Sequence, residues 1–155
     1  MDRTTQVKAE DGKQDLMITR EFDLPLELLF KAFVEPEIVE QWMGSKVLKL
    51  EAKTHGSYQL EKKDDKGNVV FRANGAIHLL VPNQKIVRTF EMENAPLGVQ
   101  FESYRFEQLT GETSRLCLHV IYESVAQRDQ LLKMGFMQGV NMAHNRLQEV
   151  VNRLK

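Results

Sequence analysis

The sequence predicts an α+β fold: a curved antiparallel sheet of about six to seven strands wrapped around a long C-terminal helix, with two short helices after the first strand. Three observations predict it. Between Lys46 and Glu123 apolar residues alternate at period two, and turn residues recur roughly every 8–12 positions, as in an antiparallel meander. From Ser124 onward the spacing changes to three and four, one continuous apolar stripe. Between the first strand and the meander, Pro25 and Pro36 each open a short helical pattern. A sheet with one apolar face and a helix with one apolar stripe each need the other to leave water.

Composition narrows the class. At 155 residues the chain suits one domain, and a chain of this size buries about 70% of the surface it exposes unfolded, enough without disulfides or a structural metal. A net charge of −1 and a pI near 6.4 exclude a basic nucleic-acid module. The lone Cys117 can form neither an intrachain disulfide nor a multi-cysteine zinc site. No apolar run approaches the roughly 18–20 residues of a membrane span, and Met1-Asp2-Arg3-Thr4-Thr5-Gln6 lacks the apolar core of a signal peptide. The expectation is a soluble, cytoplasmic protein, monomeric or weakly dimeric.

Residues 1–15 are polar and read as a tail or weak edge segment; 16–155 read as a single domain. Leu16, Ile18 and Phe22 share one parity of a strand. Pro25 suits a helix start, and Leu26, Leu29, Phe30 and Phe33 follow at helical spacing. Pro36 ends that helix and opens a second through Ile38, Val39 and Trp42, which Gly44 terminates. Short strands then carry Val47 to Leu50, and Tyr58 with Leu60. Asp64-Asp65-Lys66-Gly67-Asn68 is a hairpin turn. The next strand places Val69, Phe71, Ala73, Gly75, Ile77 and Leu79 on one face. Pro82-Asn83 turns into residues 86–92. In residues 99–108, Tyr104 and Phe106 oppose the parity of Val99 and Phe101, which a bulge would reconcile. Leu116, Leu118, Val120 and Tyr122 close the meander. Ser124 and Gln127 form a capping box for one helix of about 30 residues, with Leu132, Phe136, Val140, Ala143, Leu147, Val150 and Leu154 on its stripe. Gly135 and Gly139 cost that helix about 1 kcal/mol each, which leaves space for a close neighbour or ligand. Arg128, Asp129, Lys133, Arg146, Glu149 and Arg153 read as its solvated face.

This order of elements is that of the helix-grip fold, and particular residues extend the likeness. Arg20-Glu21-Phe22 followed by Leu24-Pro25-Leu26-Glu27-Leu28-Leu29-Phe30, and Glu35-Pro36-Glu37-Ile38-Val39-Glu40-Gln41-Trp42-Met43-Gly44, resemble signatures of the homologues of the activator of the heat-shock-protein-90 ATPase. Gly56-Ser57-Tyr58, Phe71-Arg72-Ala73-Asn74-Gly75, Val81-Pro82, Ile86-Val87-Arg88-Thr89-Phe90 and Gly111-Glu112-Thr113-Ser114-Arg115-Leu116 continue the resemblance in order. It runs from Leu16 to Leu154. These homologues belong to the START-like (SRPBCC) superfamily, and the resemblance implies a cavity between sheet and C-terminal helix. Superfamily members bind lipids or polyketides, cyclise or sequester reactive compounds, or contact chaperones, so fold does not settle function. Phe136 stands where many relatives carry Trp, and Met43 where many carry a second aromatic.

The candidate ligand-binding residues are Trp42, Tyr58, Phe71, Ile77, Arg88, Phe90, Tyr104, Leu118, Leu132 and Phe136. Arg88 faces the cavity if Ile86, Phe90 and Met92 do, and then needs a carboxylate or an anionic ligand; it lies at the surface if Val87 and Thr89 point inward. Tyr58 and Tyr104 could aim hydroxyls at a ligand. Met43, Met92, Met134, Met137 and Met142 suit an adaptable lining or ordinary core filling. His55, His78, His119 and His144 form no metalloprotease pattern, and neither a phosphate-cradling loop nor a Gly-x-Ser-x-Gly elbow occurs. No cofactor, metal or catalytic residue is expected, and Cys117 reads as a small apolar residue that His119 could touch. The leading expectation is a small apolar or aromatic, lipid- or polyketide-like ligand; the alternatives are a polyketide-cyclase-like enzyme and a stress-related, cochaperone-like module with a protein partner.

Overall fold

The computed structural model describes residues 3–155; Met1 and Asp2, the first residues of the expected polar segment, lie outside them. In chain order the elements are β1 (Gln6–Lys8), β2 (Asp15–Phe22), α1 (Leu26–Val34), α2 (Pro36–Met43), β3 (Lys46–Leu50), β4 (Ser57–Lys63), β5 (Val69–Val81), β6 (Lys85–Met92), β7 (Val99–Gln108), β8 (Ser114–Ile121), α3 (Val125–Lys133) and α4 (Phe136–Asn152). The sheet is antiparallel with eight strands in the order β1-β2-β8-β7-β6-β5-β4-β3. The strand beyond the predicted six to seven is β1, three residues on the edge of β2, too short for its alternation to register in the sequence.

Period two delivers the core. Leu16, Ile18 and Phe22 of β2 and Leu116, Leu118 and Val120 of β8 are buried side by side across a regular ladder. Phe30 and Phe33 of α1 meet Phe106 of β7 edge-on, with ring centroids 5.0 and 5.5 Å apart. From α4, Leu147 and Val151 complete the core without exposure. Two bonds lock the short helices into place: Trp42 Nε1 donates to Ala32 O at 2.6 Å, and Arg146 Nε on α4 donates to Trp42 O at 3.0 Å.

Two strand expectations are corrected. A register shift between Ile77 and Leu79 turns Leu79 outward and brings Leu80 onto the core. Conversely, β7 runs without a bulge against both neighbours. Its buried parity is Glu102, Tyr104 and Phe106, whereas Val99 and Phe101 are exposed on the outer face.

The C-terminal helix is two helices. Ser124 caps α3 as expected, its Oγ accepting from Gln127 N–H at 3.1 Å. The chain then leaves helical geometry at Met134, and Gly135 takes φ 78°, a left-handed conformation that starts α4 afresh. Gly135 is therefore an N-cap, not a helix interior. The break rotates the phase of the stripe: Leu131, not Leu132, lines the space beneath, and Met137 and Met142 point outward. Arg128 departs from the solvated face. It is buried and ties α3 to the N-terminal segment, Nη1 donating to Glu10 O at 2.7 Å and Asp15 O at 3.2 Å.

The two helix-region glycines should respond oppositely to alanine. Gly135→Ala places a side chain at positive φ and should cost about 1 kcal/mol. At Gly139 an added Cβ meets open space inside α4, so Gly139→Ala should gain about 0.5–1 kcal/mol. Urea unfolding of both variants reads the difference; equal effects would mean that the chain passes through residue 135 as continuous helix.

Candidate functional site

Between the inner face of β4–β7 and the α3–α4 junction lies a cavity of about 510 Å³. Its apolar wall comes from Phe33, Val39, Trp42 and Met43 on α1 and α2, and from Leu50, Leu60, Phe71, Phe90 and Met92 on the sheet. Leu131, Met134, Phe136, Val140 and Ala143 close the helix side. Its polar residues are Tyr58, Arg88, Gln100, Glu102, Tyr104 and His144.

Of the residues singled out from sequence, Trp42, Tyr58, Phe71, Arg88, Phe90, Tyr104 and Phe136 meet around this one space. Ile77, Leu118 and Leu132 are not in its lining. Ile77 and Leu118 are spent in the packed core, and Leu132 is half-buried against that core while its neighbour Leu131 lines the cavity. Of the methionines, Met43, Met92 and Met134 line the cavity.

Arg88 settles onto the cavity side because β6 and β7 place it directly opposite Glu102. Its Nε donates to Glu102 Oε1 at 2.8 Å, and its Nη2 to Tyr104 Oη at 2.7 Å. Tyr104 Oη passes a hydrogen bond on to Glu102 Oε1 at 2.9 Å, and Gln100 Nε2 donates to Glu102 Oε2 at 2.7 Å. The guanidinium lies over two rings, 4.6 Å from the Tyr58 centroid and 4.9 Å from that of Tyr104. Tyr58 reaches this position because residue 75 is glycine. A Cβ there would stand 2.5 Å from the Tyr58 ring and 2.0 Å from Thr89 O, the carbonyl to which Tyr58 Oη donates at 2.6 Å.

The cluster holds one positive and one negative group, so its net charge is near zero. Two of its polar atoms remain uncommitted among the described residues: Arg88 Nη1, a donor, and Gln100 Oε1, an acceptor. Burial, above all, pushes the hydroxyls of Tyr58 and Tyr104 up, and Glu102 adds to it, so both keep their protons in neutral solution. His144 is pushed down to about 3 by burial and by the Arg20 charge, so it is neutral there. Glu102 and Gln100 were missed in the sequence because the apolar residues Val99 and Phe101 took precedence. Counting back by twos from Tyr104 would have found both.

Outside the cavity, Cys117 donates its thiol to Glu107 at 3.3 Å, and burial pushes that thiol up. His119 pairs with Asp15 at 2.7 Å rather than with Cys117. Among the described residues no group of three or more His, Cys, Asp or Glu could hold a metal ion, and no helix is long and apolar enough to cross a membrane.

A family model described as activator of Hsp90 ATPase homolog 1-like protein matches residues 23–152. No curated protein matches the chain. Among solved structures the fold is similar to that of a protein from Arthrobacter aurescens, with TM-score 0.84 and 18% identity over 96% of this chain and 91% of that one. A protein from Mycobacterium smegmatis gives 0.82 and 20% over 95% and 96%. One from Nitrosomonas europaea gives 0.77 and 21% over 96% and 100%. At these identities the likeness is one of fold.

Two outcomes test the site's energetics. Glu102→Leu strands a buried guanidinium and should cost about 3 kcal/mol in urea unfolding, most of it recovered when Arg88→Leu is added. His144 has a folded pKa below its unfolded value, so its contribution is complete above about pH 6.5 and is lost as pH falls toward 3. The wild type should therefore lose up to about 1.4 kcal/mol per pH unit in that window from this group, and His144→Leu should lack that component of the slope.

Proposed function

The chain belongs to the family of activator of Hsp90 ATPase homolog 1-like proteins, and on that premise we propose that it binds a small, largely apolar ligand, aromatic or lipid-like, between the sheet and the C-terminal helices. One observation carries this reading: a cavity of about 510 Å³, apolar over most of its wall, keeps a buried ion pair at one place with Arg88 Nη1 unspent. Packing alone calls for no such pair, since apolar side chains of similar volume are as stable or more so. A few placed polar groups in an apolar pocket are instead what fixes a ligand's orientation. Because Glu102 already neutralises Arg88, an uncharged acceptor such as a ketone, ester or phenol oxygen fits better than a carboxylate.

The convergence of Arg88 and Tyr104 on one carboxylate also favours a second reading, an enzyme that orients an enolisable substrate. It ranks second because the Tyr104 hydroxyl already donates its hydrogen bond to Glu102 and burial holds both tyrosines protonated.

An NMR shift screen with flavonoids, fatty acids and polyketide-like aromatics tests the proposal. Binding should perturb Trp42, Tyr104 and Phe136 together, and Arg88→Met should weaken the best binder by about tenfold. Uniform silence would contradict it and favour a module that contacts a protein partner.

A further inference from the structure

His144 joins the cavity wall from α4, a different element from the strands that carry Arg88 and its partners. Its Nδ1 lies 2.8 Å from Thr5 Oγ1. That oxygen also accepts from Arg20 Nη1 at 3.3 Å, and a guanidinium only donates. The hydroxyl hydrogen of Thr5 thus has one acceptor among the described residues, the Nδ1 of His144. A neutral imidazole that accepts at Nδ1 carries its proton on Nε2. Asn141 fixes this arrangement from behind, its Oδ1 accepting from Thr5 N–H at 2.9 Å and from Arg20 Nη1 at 3.2 Å. Phe22 holds the ring edge-on, with centroids 5.7 Å apart.

Nε2 has no hydrogen-bond partner among the described residues, yet it is not one of the sealed, unpaired polar atoms. His144 is itself part of the cavity wall. We infer that His144 is a second polar anchor, its Nε2–H donating to the ligand at a point apart from Arg88, so that the cavity takes an apolar molecule bearing two uncharged acceptor oxygens. The inference rests on the binding reading above and narrows it. An uncharged imidazole, pushed down to about 3, offers no charge to a carboxylate, and a buried donor left unpaired penalises a ligand that carries only one acceptor. Diketones and keto ethers with aromatic or aliphatic bodies are the fitting class; fatty acids are not.

The first half of the test needs no ligand. Imidazole nitrogen shifts of His144 in the free protein should show Nε2 protonated and Nδ1 accepting; a proton on Nδ1 would overturn the inference. The second half compares dibenzoylbutane, with two ketones, against heptanophenone, with one, by NMR titration. The dione should bind about fivefold tighter and shift His144 Nε2 as well as the Arg88 side chain. His144→Phe should abolish that preference, and His144→Gln, which keeps a donor, should restore part of it. A dione that binds at Arg88 with His144 unmoved overturns this inference alone. Silence of both ketones around the whole cavity overturns the binding reading and this inference with it.

Discussion

The ion pair between Arg88 and Glu102 organises the site. It joins directly opposed residues of β6 and β7 on the inner face of the sheet, with side chains only 15% and 6% exposed. Two desolvated charges persist there only because every neighbour serves them. Tyr104 bridges them, Gln100 occupies the second carboxylate oxygen, and Tyr58 and Tyr104 give the guanidinium aromatic faces. Tyr58 in turn depends on the bare backbone of Gly75. A cross-strand pair thus dictates residue types on three strands.

The space around that pair is kept open by the helices. A continuous C-terminal helix would carry its stripe of large side chains straight across the sheet. Gly135 interrupts it, and Gly139 presents no side chain to the space that α4 covers. Trp42, bonded to Ala32 and carrying Arg146 on its own carbonyl, keeps α2 and α4 at a fixed separation. The cavity follows from placed glycines and one anchored tryptophan.

Much of this was legible in the residues. The order of elements, the two proline-led helices and the apolar faces of β2, β4 and β8 follow from periodicity, because most of their inward residues are apolar (Leu16, Ile18, Phe22, Tyr58, Leu60, Leu116, Leu118, Val120) and only Arg20 and Ser114 interrupt the inner faces of β2 and β8. The same rule failed on β7, where the inward residues near the cavity are Gln100 and Glu102 and the outward ones Val99 and Phe101. A polar pole inside an apolar cavity inverts the pattern that hydrophobicity reads. The inward setting of Arg88 could be stated only as a condition, since its acceptor sits on another strand and register is not written locally. Leu79 and Leu132 were misplaced for related reasons: a bulge shifts the phase of β5 beyond Ile77, and the left-handed Gly135 separates the phase of α3, which carries Leu132, from that of α4.

On the proposed reading, the Arg88 cluster is a ligand's polar anchor inside an otherwise apolar cavity. A crystal structure of the complex with an apolar ketone tests it most directly. Ligand density is expected between Phe136 and the sheet, with a ketone oxygen within hydrogen-bond distance of Arg88 Nη1 and the Arg88–Glu102 pair intact. A ligand seated on the outer face of the sheet, or a cavity filled by α3 and its own side chains with Arg88 Nη1 bonded to protein, would contradict it.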